Sequence, residues 1–136
     1  MIVSIVITAV IGLCIALYAY AVERKIEHDP GYKPVCDISD RVSCSKPIKS
    51  SYSHMLYISN ALIGMIYYIV IAILGYFDMT RLLINLTFLG ALISCIMAYI
   101  LFTKIKSACL VCIALYIINF ILLYLSLHAC AQARIY

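Results

Sequence analysis

Apolar residues in this chain run in long unbroken blocks instead of recurring at the spacing of a one-sided helix or an alternating strand. Four stretches contain no Asp, Glu, Lys or Arg: Met1 to Val22, Met55 to Phe77, Leu82 to Thr103, and Ser107 to Ala133, the last interrupted only by His128. Each is long enough for the roughly 20 residues that a helix needs to cross hydrocarbon. The pattern predicts helices over 1–22, 55–77, 82–103 and 107–130. Between them, Asp78 to Arg81 and Lys104 to Lys106 read as tight turns, and Glu23 to His54 as the one sizeable polar segment. The expected fold is an all-α integral membrane protein. It is a four-transmembrane-helix bundle with one long polar loop between helices 1 and 2, forming a single domain over 1–136.

Composition supports a lipid environment. The chain is 66% hydrophobic and 12% charged, with a mean hydropathy of +1.09, whereas soluble domains are about half apolar and a quarter charged. A small soluble fold keeps much of its area in water and has no means of hiding this much apolar surface, so the lipid bilayer is the expected partner of most of it. The net charge of +4 comes from basic residues interspersed with acidic ones. They form no stripe that tracks phosphates, which argues against nucleic acid. The first apolar stretch lacks a basic leading segment and a small-residue cleavage site, and is expected to be a retained helix.

Four crossings place the Glu23–His54 loop and the Lys104–Lys106 turn on one side of the membrane, and both termini with the Asp78–Arg81 turn on the other. Eight of the ten Lys and Arg residues then lie on the loop side: Arg24, Lys25, Lys33, Arg41, Lys46, Lys49, Lys104 and Lys106. The positive-inside rule would make that side cytoplasmic, while disulfide chemistry belongs on the oxidising side. The sequence leaves this conflict open.

The reason to expect disulfide chemistry is the placement of cysteines. Of seven, Cys36 and Cys44 lie in the long loop, and Cys109 and Cys112 open the fourth helix, so topology brings both pairs to one surface. Cys109-Leu110-Val111-Cys112 is a CxxC whose sulfurs can approach within bonding geometry. At a helix N-terminus, unpaired backbone N–H groups favour a thiolate, and Lys104 and Lys106 add positive potential. Two blander readings compete: a four-cysteine zinc site, which would normally call for a second short CxxC, and structural disulfides that lock the loop. No metal is expected. Cys14, Cys95 and Cys130 lack matching partners and read as small hydrophobes.

Electrons taken up by a membrane dithiol must leave it, and a lipophilic quinone is the natural two-electron acceptor in a bilayer. Cys112, Tyr116 and Asn119 fall at i, i+4 and i+7, which sets a phenol and an amide below the thiol. Asn60 lies near the cysteine-side end of the second helix, with Gly64 a turn deeper. Polar groups inside a membrane invite a functional reading. Helix-to-helix hydrogen bonding competes for Asn60, and plain packing competes for Tyr116.

Three runs resemble the vitamin K epoxide reductase family: Cys36-Asp37-Ile38-Ser39-Asp40-Arg41-Val42-Ser43-Cys44-Ser45, Ser59-Asn60-Ala61-Leu62-Ile63-Gly64, and Cys109-Leu110-Val111-Cys112 leading to Tyr116 and Asn119. Their order and the four-helix layout match as well. The resemblance implies a quinone pocket to which Asn60, Ile63, Gly64, Tyr116 and Asn119 contribute, and a substrate quinone with no tightly bound cofactor. It implies that Cys112 acts on the quinone or its epoxide and that Cys109 resolves it. Cys44 would then attack Cys109, and Cys36 would exchange with a thioredoxin-like protein through mixed disulfides. Asn60 and Tyr116 would hydrogen-bond the quinone oxygens and 4-hydroxycoumarin inhibitors. Between Cys44 and Asn60 the chain is shorter than vertebrate members of the family, leaving Ser45 and Tyr52 for a smaller lid. No fused thioredoxin-like domain is expected, and the partner is expected to be a separate protein.

The reading is therefore a membrane thiol oxidoreductase that reduces vitamin K epoxide and quinone. Its alternatives are a microbial disulfide-generating enzyme that uses menaquinone or ubiquinone, and a structural or channel-like membrane protein with incidental cysteines. The resemblance implies the endoplasmic reticulum membrane in a eukaryote or the plasma membrane in a microbe, with the active site lumenal or extracytoplasmic.

Overall fold

The computed structural model of the chain describes residues 1–29, 31–35, 37–39, 41–43 and 59–135. The expectations for Cys36, Cys44, Ser45 and Tyr52 fall outside them. Among the described residues four α-helices follow in order: α1 (Ile2–His28), α2 (Asn60–Tyr76), α3 (Thr80–Ile100) and α4 (Leu110–Ile135). A wide π turn, Leu101–Ile105, continues α3. By length and composition, α1, α3 with its π turn, and α4 are each able to cross a membrane, and α2 is a shorter apolar helix of 17 residues.

The predicted boundaries shift for local reasons. Helix α1 continues past Val22 to His28 because Glu23, Arg24, Lys25 and Glu27 are good helix formers; charge ends an apolar run without ending a helix. Arg24 donates back one turn to the Tyr20 hydroxyl at 2.9 Å and pairs with Glu27 at 3.4 Å. The helix stops at Asp29, whose extended backbone (φ −135°, ψ 94°) is the one favoured before a proline, here Pro30. The turn between α2 and α3 is tighter than expected. Asp78 takes a left-handed conformation (φ 54°), and Arg81 is already helical. Helix α4 starts at Leu110 instead of Ser107, because Ser107 and Ala108 pair with the loop, and it runs on to Ile135.

Helices α1 and α2 pack antiparallel through small residues, as membrane helices do when close approach replaces hydrophobic drive. Gly75 meets Ile5, Gly12 meets Tyr68, and Gly64 meets Ala16, so the contacts climb one helix while descending the other. Ile5, Ala9, Ala16, Tyr68 and Ile71 are buried along this seam. Beyond it, the buried Glu23 accepts a hydrogen bond from Ser59 Oγ at 2.5 Å. Ser59 in turn caps α2 by accepting from Leu62 N at 3.4 Å.

Helices α3 and α4 keep their own antiparallel register through hydroxyl and amide groups. Thr87 and Ser126, both fully buried, lie 2.8 Å apart through their hydroxyls. Two turns along, Asn119 Nδ2 donates to Ser94 Oγ at 2.6 Å. Continuing the same register brings the upper end of α4, with Cys112, opposite Leu101, and these residues share an apolar cluster. The Tyr68 hydroxyl donates to Asn119 Oδ1 at 2.9 Å and ties the two helix pairs together.

The seam makes a contrast between two glycines testable. A methyl at Gly12 would lie 2.6 Å from the ring of Tyr68, a side chain that is buried and anchored by Asn119. Gly12→Ala should cost about 1–3 kcal/mol through overpacking. A methyl at Gly64 would sit at an ordinary 3.9 Å from Ala16, so Gly64→Ala should stay within about 0.5 kcal/mol of the parent. Thermal unfolding in detergent checks both; equal effects would contradict the packing described.

Candidate redox site

The site is built where the chain turns from α3 into α4. After the π turn, Lys106 takes a left-handed conformation (φ 56°, ψ 39°) and its N–H donates to Leu101 O. The reversal closes with Ser107 N donating to Leu101 O at 3.4 Å and leaves the N–H and C=O of Ala108 in need of partners. The long loop supplies them. Ala108 N donates to Arg41 O at 2.6 Å and Ser43 N donates to Ala108 O at 2.9 Å, a parallel bridge that pairs Val42 with Ala108. The buried Ser107 hydroxyl adds contacts to Arg41 O at 3.4 Å and Ser43 O at 3.5 Å.

The loop strand is itself closed into a turn, with Ile38 N and Ser39 N both donating to Val42 O at 3.1 Å. Asp37 Oδ1 accepts from Ser43 Oγ at 2.8 Å. The bridge thus holds Ser43, which precedes Cys44 in sequence, alongside Ala108, which precedes Cys109.

Cys109 is buried, with 2% of its surface exposed, and stands as the cap residue of α4. Its carbonyl accepts from Ile113 N at 2.9 Å and its sulfur accepts from Cys112 N at 3.3 Å. Sulfur here takes the place of the usual capping oxygen. Both Cys109 and Cys112 are free thiols. A hydrogen bond from the Cys112 thiol holds Cys109 below the ordinary range of a thiol. Burial opposes this, the backbone N–H groups of Cys112 and Val111 reinforce it, and the negative charge of Asp37 works against it. The arrangement is chemically a buried dithiol in which the hydrogen bonds received by the Cys109 sulfur favour its thiolate form.

The structure brings three of the predicted site residues into one cluster. Cys109, Cys112 and Tyr116 share the apolar cluster with Leu101, Ile105 and Val111. Asn60 is the first residue of α2 and is partly buried. Asn119 lies a turn deeper, with its carbonyl engaged by Tyr68 and its amide by Ser94, so it ties helices together. Gly64 faces Ala16 of α1, and Ile63 is 38% exposed. Sequence reasoning did not single out the Glu23–Ser59 pair, the Asp37–Ser43 bond or Ser107. Ser59 before an apolar run was a legible capping signal; the other contacts cross between distant segments and left no local mark.

Comparison with known proteins adds identity to this geometry. The model of the vitamin K epoxide reductase family matches residues 3–127. The chain is 30% identical over 131 residues to vitamin K epoxide reductase complex subunit 1 of Mus musculus, covering 85% of this chain and 81% of that one. The protein of the same name from Rattus norvegicus is 27% identical over 140 residues, covering 91% and 87%.

The dithiol geometry predicts how Cys109 titrates. Replacing Cys112 with Ala removes the first contributor to its lowered pKa and leaves burial in place, so the thiolate should appear at higher pH than in the parent. Ultraviolet thiolate absorbance gives the midpoint, read in protein whose cysteines other than Cys109 and Cys112 are replaced by Ser. An unchanged or lower midpoint would contradict the assigned bond.

Proposed function

This chain belongs to the vitamin K epoxide reductase family, and from that premise and the Cys109–Cys112 geometry we propose that it is a membrane thiol oxidoreductase linked to quinone. The observation that carries the reading is the bridge between Arg41–Ser43 and Ala108, which fastens the loop carrying one cysteine pair to the segment that leads into the other. A loop pinned there suits thiol exchange, because each step requires direct attack of one sulfur on another.

In the proposed reaction, Cys112 engages the quinone and Cys109 attacks Cys112, closing their disulfide. Two electrons pass to the quinone, and with two protons it leaves as hydroquinone. With an epoxide, the same two electrons and two protons release the oxygen as water and leave the quinone. Cys44 then attacks Cys109 and frees Cys112, and Cys36 closes on Cys44, to be reduced in turn by a thioredoxin-like dithiol. Tyr116, beside Cys112 in the apolar cluster, and Asn60 are the groups proposed to hold the quinone oxygens and a 4-hydroxycoumarin inhibitor. Asn119 supports this site from below through Tyr68 and Ser94, a positioning part instead of the direct contact.

The whole chain serves as one domain in this reading, and α2 is its second of four crossings. Its 17 residues measure about 25 Å at 1.5 Å per residue, close to the hydrocarbon thickness. The cysteine end faces the lumenal or extracytoplasmic side. The second reading, a disulfide-generating enzyme that passes electrons to menaquinone or ubiquinone, shares the site and differs only in whether the epoxide is used.

Dithiol-driven turnover by the purified protein tests this. The leading reading predicts turnover of both vitamin K epoxide and menaquinone, abolished by Cys112→Ser. Tyr116→Phe should lower kcat/KM by about tenfold or more through loss of one hydrogen bond in a dry site. Turnover of menaquinone alone would favour the second reading, and activity indifferent to Cys112 would refute both.

A further inference from the structure

Asp37 has no part in the relay as described, yet it occupies the junction between the loop and the dithiol. Its carboxylate accepts from Ser43 Oγ at 2.8 Å, and Ser43 is the residue whose N–H closes the bridge to Ala108. Ser43 is buried and Asp37 half-buried, so this bond is partly shielded from water, and a charged acceptor makes it stronger than a neutral one would. Ser43 N bonds to the carbonyl of Ala108, the residue before Cys109, and from there the carboxylate's charge opposes a Cys109 thiolate, as the smallest of the influences on that sulfur. One side chain therefore touches both halves of the exchange reaction, mechanically through Ser43 and electrostatically through Cys109.

We propose that Asp37 is a positioning residue that sets the alignment of the loop cysteine with Cys109 and holds the Cys109–Cys112 pair more reducing than its helix N-terminus alone would make it. The proposal rests on the cysteine relay of the proposed function. The two effects act in one direction. Alignment speeds attack of Cys44 on Cys109, while like-charge repulsion disfavours the thiolate and with it the reduced pair. A disulfide whose reduced form is stabilised is the stronger oxidant; Asp37 does the reverse, which biases electrons onward to the quinone. The balance is that of ordinary exchange: the Cys44 thiolate forms the new S–S bond, the Cys109–Cys112 bond breaks, and Cys112 leaves as a thiolate that takes a proton.

Two substitutions separate alignment from charge. Asp37→Asn keeps an oxygen that accepts from Ser43 and removes the charge; Asp37→Ala removes both. In quinone-free protein with Cys36 and Cys44 replaced by Ser, Asp37→Asn should shift the glutathione equilibrium of the remaining pair about twofold toward the dithiol, about 9 mV more positive. In Cys36→Ser/Cys112→Ser protein under mild oxidation, the Cys44–Cys109 disulfide should form in Asp37→Asn within about twofold of the parent rate, since the hydrogen bond is retained. In Asp37→Ala it should form several-fold more slowly.

An unmoved or more negative potential in Asp37→Asn overturns the proposal, and so does unimpaired trapping in Asp37→Ala. Both variants are judged against parents with Asp37 intact. If that parent traps no Cys44–Cys109 disulfide at all, the relay itself fails; if it traps the disulfide and the Asp37 variants behave like it, the relay stands and the role of Asp37 falls.

Discussion

The pairing of Ala108 with the loop strand is the constraint on which the rest of the site depends. A chain leaving one apolar helix and entering another must satisfy its backbone N–H and C=O groups at the membrane boundary, where an unpaired group is costly. Here the π turn and the left-handed Lys106 end α3 abruptly, and Ala108 stands outside both helices. The Ala108 N–H and C=O find their partners in Arg41 and Ser43, more than sixty positions away, and the Ser107 hydroxyl reaches the carbonyls of the same two residues. A need of the backbone thus fixes Arg41–Ser43 of the loop against the start of α4.

Below that junction, the bundle acts as a rigid base. Small residues bring α1 and α2 close, and the hydroxyl and amide pairs of α3 and α4 set a register that delivers Cys112 opposite Leu101. The bond from Tyr68 to Asn119 joins the two pairs at mid-depth. These polar contacts are satisfied internally, as lipid-buried groups must be. Cys109 also serves structure and chemistry together: the N–H groups that its sulfur caps are the same groups that stabilise its thiolate.

The existence and type of the four helices were legible in the sequence because uninterrupted apolar blocks are the strongest signal a chain carries. Their ends were less so. Val22 looked like an end because Glu23 is charged, but Glu23 is buried against Ser59, a contact thirty-six residues distant that no local pattern reports. Ser107 looked helical because it is uncharged and leads an apolar run; the bridge to Arg41 overrides that preference. At the site, the spacing of Cys109 and Cys112 was readable directly, and so was the placement of Tyr116 on the same face. The periodicity that grouped Asn119 with them was correct as geometry, yet only tertiary contacts with Tyr68 and Ser94 reveal that both polar ends of Asn119 are engaged. The Asp37–Ser43 bond depends on how the loop closes upon itself, which sequence spacing alone does not encode.

Disulfide mapping through a single turnover tests the central claim most directly. Fully reduced protein in lipid, mixed with equimolar quinone and quenched with an alkylating agent at successive times, should show the Cys109–Cys112 disulfide first and the Cys36–Cys44 disulfide afterwards, with the first pair returning to thiols. A Cys36–Cys44 disulfide that resists reduction at the outset, or one that never forms while Cys109 and Cys112 remain oxidised, would contradict a relay between the loop and the bundle.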